Sequence, residues 1–314
     1  MSGASTEATR CIVAPPDLLE AGGTGHVEFD GGRVAVNVKP GTTRDVAFLF
    51  HGAIDRAKRP IPFFQPFLPD SPRLTQVAIF DATLEQDDDL TVAWYLGAAE
   101  LPFPAILTAL TREIAARLGC KRPIFVGGSS GGFAALHLAT FHPGGIAVVA
   151  NPQTNLLTYR NKVGSVDLYR RSLWPSAESL NELARKVTID LATLYRKPGT
   201  NTVVYLQSAG DRKHVFTQMT PFISELHASR QALTTLVTGF WGKLGHSATI
   251  PYKEMARAVR TVHDHKAWAG DDFLQSGFFE ASGPSRIEPA RGALHDPRDL
   301  DVTDRIRAYL LRDA

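Results

Sequence analysis

Two cysteines in 314 residues, Cys11 and Cys120, are too few and too far apart for a disulfide framework, and they form no paired metal-ligand motif. A reducing compartment is the expectation. Charge of one sign is also lacking: 34 basic residues face 32 acidic ones, for a net charge of +2, so no global field recruits nucleic acid or an anionic membrane. Local basic runs such as Arg56-Ala57-Lys58-Arg59 and Tyr169-Arg170-Arg171 read as solvated surface. No uninterrupted apolar run approaches the roughly 18 residues of a membrane span. Met1 to Glu20 lacks the charged start and apolar core of a signal peptide. The expectation is a soluble, cytoplasmic protein with no membrane span and no nucleic-acid partner. There is no internal repeat.

What the chain does have is 44% hydrophobic residues, enough to build one large α/β domain. Short apolar, β-branched runs alternate with amphipathic stretches, which predicts a mainly parallel sheet with helices on both faces. Strands are expected near Val34-Val38, Val46-Phe50, Gln76-Phe80, Pro123-Val126, Ile146-Ala150, Val203-Gln207 and Thr234-Val237. Helices are expected near Pro104-Leu118, Gly132-Thr140, Thr217-Ser229 and Tyr252-Trp268. Before Pro40, the turn Asp30-Gly31-Gly32 joins two apolar runs into an expected edge hairpin.

The stretch Ile124-Phe125-Val126-Gly127-Gly128-Ser129-Ser130-Gly131-Gly132-Phe133 is an apolar run that ends in a Gly-framed serine and continues into a helix-forming segment. It reads as a nucleophile elbow, a tight strand-to-helix turn that projects a hydroxyl from the sheet edge beside a helix N-terminus. Close approach of the two backbones explains the flanking glycines. Two registers fit, Gly127-x-Ser129-x-Gly131 and Gly128-x-Ser130-x-Gly132. Ser129 is preferred, because the strand then ends directly at the first glycine and both later glycines fall where the helix packs on the sheet; Ser130 is the alternative. The run lacks the Gly-Lys-Ser/Thr ending of a phosphate-binding loop and the GxGxxG spacing of a dinucleotide site.

This Gly-Gly-Ser-x-Gly-Gly form resembles the α/β-hydrolase superfamily, in particular its esterase and prolyl-oligopeptidase-like branches. The resemblance covers about Val46 to Trp268. It implies an α/β-hydrolase fold and the chain order serine, acid, histidine. On that reading residues 1–40 form a hairpin extension and 41–270 the α/β-hydrolase domain. A helical lid is inserted at 152–198, and 271–314 form a tail with a short helix at Val302-Leu311.

A nucleophilic serine needs a base, and the base needs a partner that fixes its tautomer. Asp211 follows the strand Val203-Gln207, and His246 follows Leu236-Val237 through a glycine-rich loop, so both are expected at the sheet edge that carries Ser129. Asp81, after Ile79-Phe80, shares that edge but precedes the nucleophile; it is expected to order a loop or stand in as the acid. His137 and His142 lie on or just past the elbow helix, and His263 and His265 do not share a helix face, so no metal site is expected. The oxyanion donors are expected to be the Ser130 amide and, by resemblance of His51-Gly52-Ala53 to the superfamily's His-Gly-x motif, the Ala53 amide. His51, Trp94, Tyr95, His214 and Trp241 are candidates for lining the substrate pocket, with Tyr159, Tyr169 and Trp174 offered by the lid.

The expected activity is cleavage of a small-molecule carboxylic ester or related acyl bond through an acyl-enzyme, with no cofactor and no metal. The rival with the same machinery is acyl transfer to an alcohol or sugar hydroxyl. The rival of another class is a non-catalytic binding protein on this fold.

Overall fold

The computed structural model describes residues 16–29, 32–159, 161, 164–226, 234–241, 244–246 and 250–266. Cys11 and the expected helix at 302–311 lie outside them. A short helix α1 (Pro16–Ala21) leads into the hairpin β1 (Gly23–Phe29) and β2 (Gly32–Lys39), followed by β3 (Val46–Phe50) and β4 (Thr75–Ile79). Then come α2 (Phe103–Leu118), β5 (Ile124–Gly128), α3 (Ser129–Ala139) and β6 (Ile146–Ala150). Three helices α4 (Ser165–Leu173), α5 (Leu180–Lys186) and α6 (Ala192–Tyr195) precede β7 (Thr202–Ser208). The chain closes through α7 (Arg212–His214), a π-helical turn Val215–Met219, α8 (Thr220–Ser224), β8 (Thr234–Gly239) and α9 (Tyr252–Asp264).

The eight strands form one sheet in the order β1-β2-β4-β3-β5-β6-β7-β8. From β4 to β8 every pairing is parallel, while β1, β2 and β4 pair antiparallel at one edge. Parallel strands need helices on both faces, and alternation along the strands supplies two apolar layers. Phe48, Phe50, Phe125, Val149 and Tyr205 face one layer with Phe133 and Leu136 of α3. Ala47, Leu49, Val126, Val148 and Leu206 face the other, against Met255, Val259 and Val262 of α9. Parallel order also sets the C-terminal ends of β3, β5, β6, β7 and β8 along one edge, so loops leaving them converge.

Helices depart from the sequence pattern in three places. The elbow helix begins at Ser129 itself rather than at Gly132. The helix expected over 217–229 starts at Arg212 and is interrupted by the π turn, and 227–229 lie outside the described residues. Between β6 and β7, the helical insertion expected at 152–198 is three separate helices, α4 to α6. The three helices of this insertion pack into the main core through Val166, Tyr169, Leu173, Leu183, Leu191 and Tyr195. Tyr169 donates to the Gly97 carbonyl at 2.9 Å and Tyr195 to that of Leu136 at 2.9 Å, which fixes the insertion to the body. Tyr169 and, through its indole N–H on the Tyr169 hydroxyl at 2.8 Å, Trp174 therefore brace this layer rather than line a pocket. Among the described residues, no helix is long and apolar enough to cross a membrane.

His51, His137 and His142 are buried, and burial pushes each imidazole down to about 4. These rings fold as neutral groups. Their contribution to stability is complete above the unfolded value near 6.5 and is lost as pH falls through the folded one. Asp81, raised by burial to about 6, acts in the opposite sense but is outnumbered. The melting temperature is expected to drop steadily from about pH 6.5 to about pH 4; a flat profile over that range would contradict this burial pattern.

Candidate active site

At the end of β5 the chain reverses from strand to helix within one residue, Ser129, whose φ of +55° lies in the left-handed region. That conformation costs a residue with a side chain roughly 1–2 kcal/mol, and tight packing around the turn enforces it. A Cβ on Gly127 would lie 2.2 Å from the Gly131 carbonyl oxygen, one on Gly131 would lie 2.3 Å from that of Phe50, and one on Gly132 would lie 2.8 Å from Pro152 Cβ. Gly128 differs, since a Cβ there would meet nothing closer than 3.5 Å. Gly127 and Gly131 are thus sterically demanded, and they are the pair that frames Ser129 rather than Ser130. Ser130 is itself buried.

Ser129 Oγ lies 2.7 Å from Nε2 of His246, and His246 Nδ1 lies 2.6 Å from Asp211 Oδ2. Two backbone bonds bring the loops together: Ala209 N–H donates to the Gly239 carbonyl at 2.7 Å, and Gly245 N–H to that of Gly210 at 2.9 Å. Asp211 is buried. Burial alone would raise its carboxyl, but hydrogen bonds from His214 and His246 outweigh burial and hold it well below the usual carboxylate range. His214 donates from Nδ1 to Asp211 Oδ1 at 3.1 Å, and its ring stacks on that of His246 with centroids 3.9 Å apart and planes 11° from parallel.

Asp211, His214 and His246 also offer three ligand atoms within 4.8 Å of one another. A zinc-like ion needs in-plane lone pairs to converge at roughly 2.0–2.1 Å. Two nearly parallel rings 3.9 Å apart direct theirs along lines that do not meet, so the group is built for hydrogen bonding.

Gln153 was not singled out by the sequence. Its Nε2 donates to Ser129 Oγ at 2.8 Å, and its Oε1 accepts from Trp94 Nε1 at 2.9 Å. The signal for it is weak but present: Asn151-Pro152-Gln153 follows β6 directly, at the same edge as the other site loops. Asn151, with φ of +41°, turns the chain there while its Oδ1 accepts the Ser208 N–H at 2.7 Å.

Several pocket candidates have other roles. Trp94 is buried behind Gln153, and Tyr95 is buried with its hydroxyl donating to the Ile79 carbonyl at 3.0 Å and accepting from His51 N–H at 2.9 Å. His51 is spent internally, Nδ1–H on the Gly52 carbonyl at 2.7 Å and Nε2 accepting from Asp81 N–H at 3.1 Å. Asp81 accepts backbone N–H groups from Thr83 at 3.2 Å and Tyr95 at 2.8 Å, so it orders the loop. The Trp241 indole lies on Gly239. His51, Trp94 and Tyr95, expected in the pocket wall, are therefore buried scaffold.

A cleft of about 210 Å³ opens at Ser129, walled by Gly52, Gly128, Asn151, His246, Tyr252 and Met255. A second, of about 870 Å³, also borders His246 and is walled by Tyr159, Asn161, Arg212, Lys213 and His214. His214 and Tyr159 border this second cleft. Gly52 sits against the turn at Ser129, since a Cβ there would lie 3.8 Å from Ser129 Cβ, and this brings the loop carrying Ala53 beside that turn.

No family model and no curated protein sequence matches the chain. Solved structures do. The capsule O-acetyltransferase of Neisseria meningitidis serogroup A superposes with a TM-score of 0.51 at 14% identity, covering 76% of this chain and 94% of that one. The acylaminoacyl peptidase of Pyrococcus horikoshii superposes with a TM-score of 0.54 at 12% identity, covering 78% of this chain and 42% of that one. At such identities the likeness is one of architecture, and both structures are α/β-hydrolases. This chain, with its mostly parallel eight-stranded sheet and helices on both faces, has the α/β-hydrolase fold.

Proposed function

We propose that the protein is a serine hydrolase that cleaves a short-chain carboxylic ester through an acyl-enzyme. The observation that carries this reading is the unbroken path from Ser129 Oγ through His246 to Asp211, at 2.7 and 2.6 Å. Gln153 donates into a lone pair of Oγ, so the hydroxyl's own proton is directed at His246 Nε2. Oγ attacks the ester carbonyl while Nε2 takes that proton, and Asp211 holds Nδ1–H and offsets the imidazolium charge. The Ser130 and Ala53 amides receive the developing oxyanion, an interaction worth about 3–4 kcal/mol per donor. The alcohol leaves with the proton from Nε2. Water, deprotonated by the same nitrogen, then attacks the acyl-enzyme and frees the acid and Ser129.

Acyl size follows from the small cleft. Gly128 walls it, and its missing side chain is not demanded by packing, so the space it leaves is available to substrate. With p-nitrophenyl esters of increasing chain length, kcat/KM is expected to peak at acetate to butyrate. Gly128→Ala is expected to penalise butyrate at least about fivefold more than acetate. A peak at long acyl chains, or an equal loss on both esters, would contradict the assignment.

The insertion at 152–198 acts in this reading as a fixed cap rather than a hinged lid, because α4 to α6 are tied into the core. A cytoplasmic setting belongs to the same proposal, supported by the scarcity of cysteine. Acyl transfer to an alcohol is the second reading, favoured by the 870 Å³ cleft at His246, where an acceptor hydroxyl could replace water. Adding polyols to the same assay separates the two, since a transferase forms a new ester.

A further inference from the structure

Asp211 carries two imidazoles, one on each oxygen. His246 holds Oδ2 at 2.6 Å and His214 holds Oδ1 at 3.1 Å, and the two rings lie face to face. We infer that His214 is a positioning residue that fixes the ring plane of His246 and, by sharing the Asp211 carboxylate, weakens the bond between Asp211 and His246. The inference rests on the hydrolase reading proposed above and concerns regulation of that same site.

Two independent features keep His214 neutral. Its side chain is 3% exposed against 29% for His246, so it is the drier ring. Its far nitrogen Nε2 is buried and meets no hydrogen-bond partner among the described residues, so a second proton there would leave an unpaired N–H out of water. Burial lowers its imidazole, the Asp211 bond opposes this, and a charge on His246 lowers it further. The positive charge of the reaction therefore falls on His246 rather than on His214. Tyr159 packs edge-on to His214 at 5.9 Å and to Trp94 at 6.2 Å, and Trp94 reaches Ser129 through Gln153, so the stacked ring is held from behind.

The donor on Oδ1 has a separate effect. A carboxylate that accepts from His214 is a weaker acceptor for His246. Among the described residues, the other ionisable groups that line the two clefts beside His246 are Arg212 and Lys213 from the loop after β7, Tyr159 from the cap and Tyr252 from α9. Substitution at position 214 leaves all four in place.

Two variants divide the effects. His214→Phe keeps a stacked ring and removes the donor; His214→Asn keeps an N–H near the Nδ1 position and removes the ring. In His214→Phe, the acid limb of kcat/KM on a short-chain ester is expected to move up by about one pH unit with plateau kcat within about threefold of the parent. In His214→Asn, the limb is expected to stay in place while plateau kcat falls about tenfold, because His246 loses its seat. The midpoint of the His246 imidazole, followed by ¹⁵N NMR in each protein, is expected to reproduce the limb shifts without any substrate. A purely structural His214 would lower stability and plateau in both variants and move neither midpoint, which would overturn the inference. An NMR midpoint that moves as expected in a protein that turns over no ester would refute the hydrolase reading alone. Turnover with an unresponsive His246 would refute the role of His214 alone.

Discussion

Replacing Ser129 by alanine is expected to reduce ester turnover by at least about 10⁴-fold, because it removes the proposed nucleophile while leaving the proposed oxyanion donors and the cleft intact. Ser130→Ala is expected to retain most of the activity, since only the backbone amide of Ser130 enters the proposed reaction and its side chain is buried. Packing supports this asymmetry. Gly127 and Gly131, whose Cβ positions would overlap backbone at 2.2 and 2.3 Å, frame Ser129 and give it the left-handed turn that exposes Oγ to His246. Initial rates on p-nitrophenyl acetate for both variants decide the point, and an inactive Ser130→Ala beside an active Ser129→Ala would transfer the role to Ser130.

Asp211→Asn is expected to lower kcat by about 10³- to 10⁴-fold. An amide cannot accept from both His246 Nδ1 and His214 Nδ1, so one imidazole meets an NH₂ group and the tautomer of the base is no longer fixed. The imidazolium also loses its counter-charge. Asp81→Asn is the paired control. It shares the same sheet edge, but its two oxygens are engaged by the backbone of Thr83 and Tyr95. That substitution is expected to lower the melting temperature and leave kcat within about threefold of the parent. A mild Asp211→Asn with a severe Asp81→Asn would reassign the acid.

The strands at Val46–Phe50 and Ile146–Ala150 could be read to the residue because each is a short, fully apolar, β-rich run closed by turn-forming residues. Ser129, Asp211 and His246 were legible for a related reason. Each stands just past the C-terminal end of a strand, and parallel order brings those ends together whatever the helices do. Trp94 and Tyr95 were misread because an aromatic beside a site can wall a pocket or fill a core. Their positive φ values of 54° and 59°, stabilised by the Asp81 bond to Tyr95 N–H, turn both inward. Gln153 reaches Ser129 only because Asn151 reverses the chain with a positive φ, which no periodicity announces. The stacking of His214 on His246 depends on the Gly245 to Gly210 bond that folds one loop over the other, a contact between segments more than 30 residues apart.

The central claim is that Ser129 is a hydroxyl activated by His246. Treating the native protein with a fluorophosphonate and locating the adduct by peptide mass spectrometry tests it most directly. The account predicts one stoichiometric adduct on Ser129 that is absent after heat denaturation and absent in Ser129→Ala. An adduct on Ser130, or a folded protein that takes up no label, would contradict it.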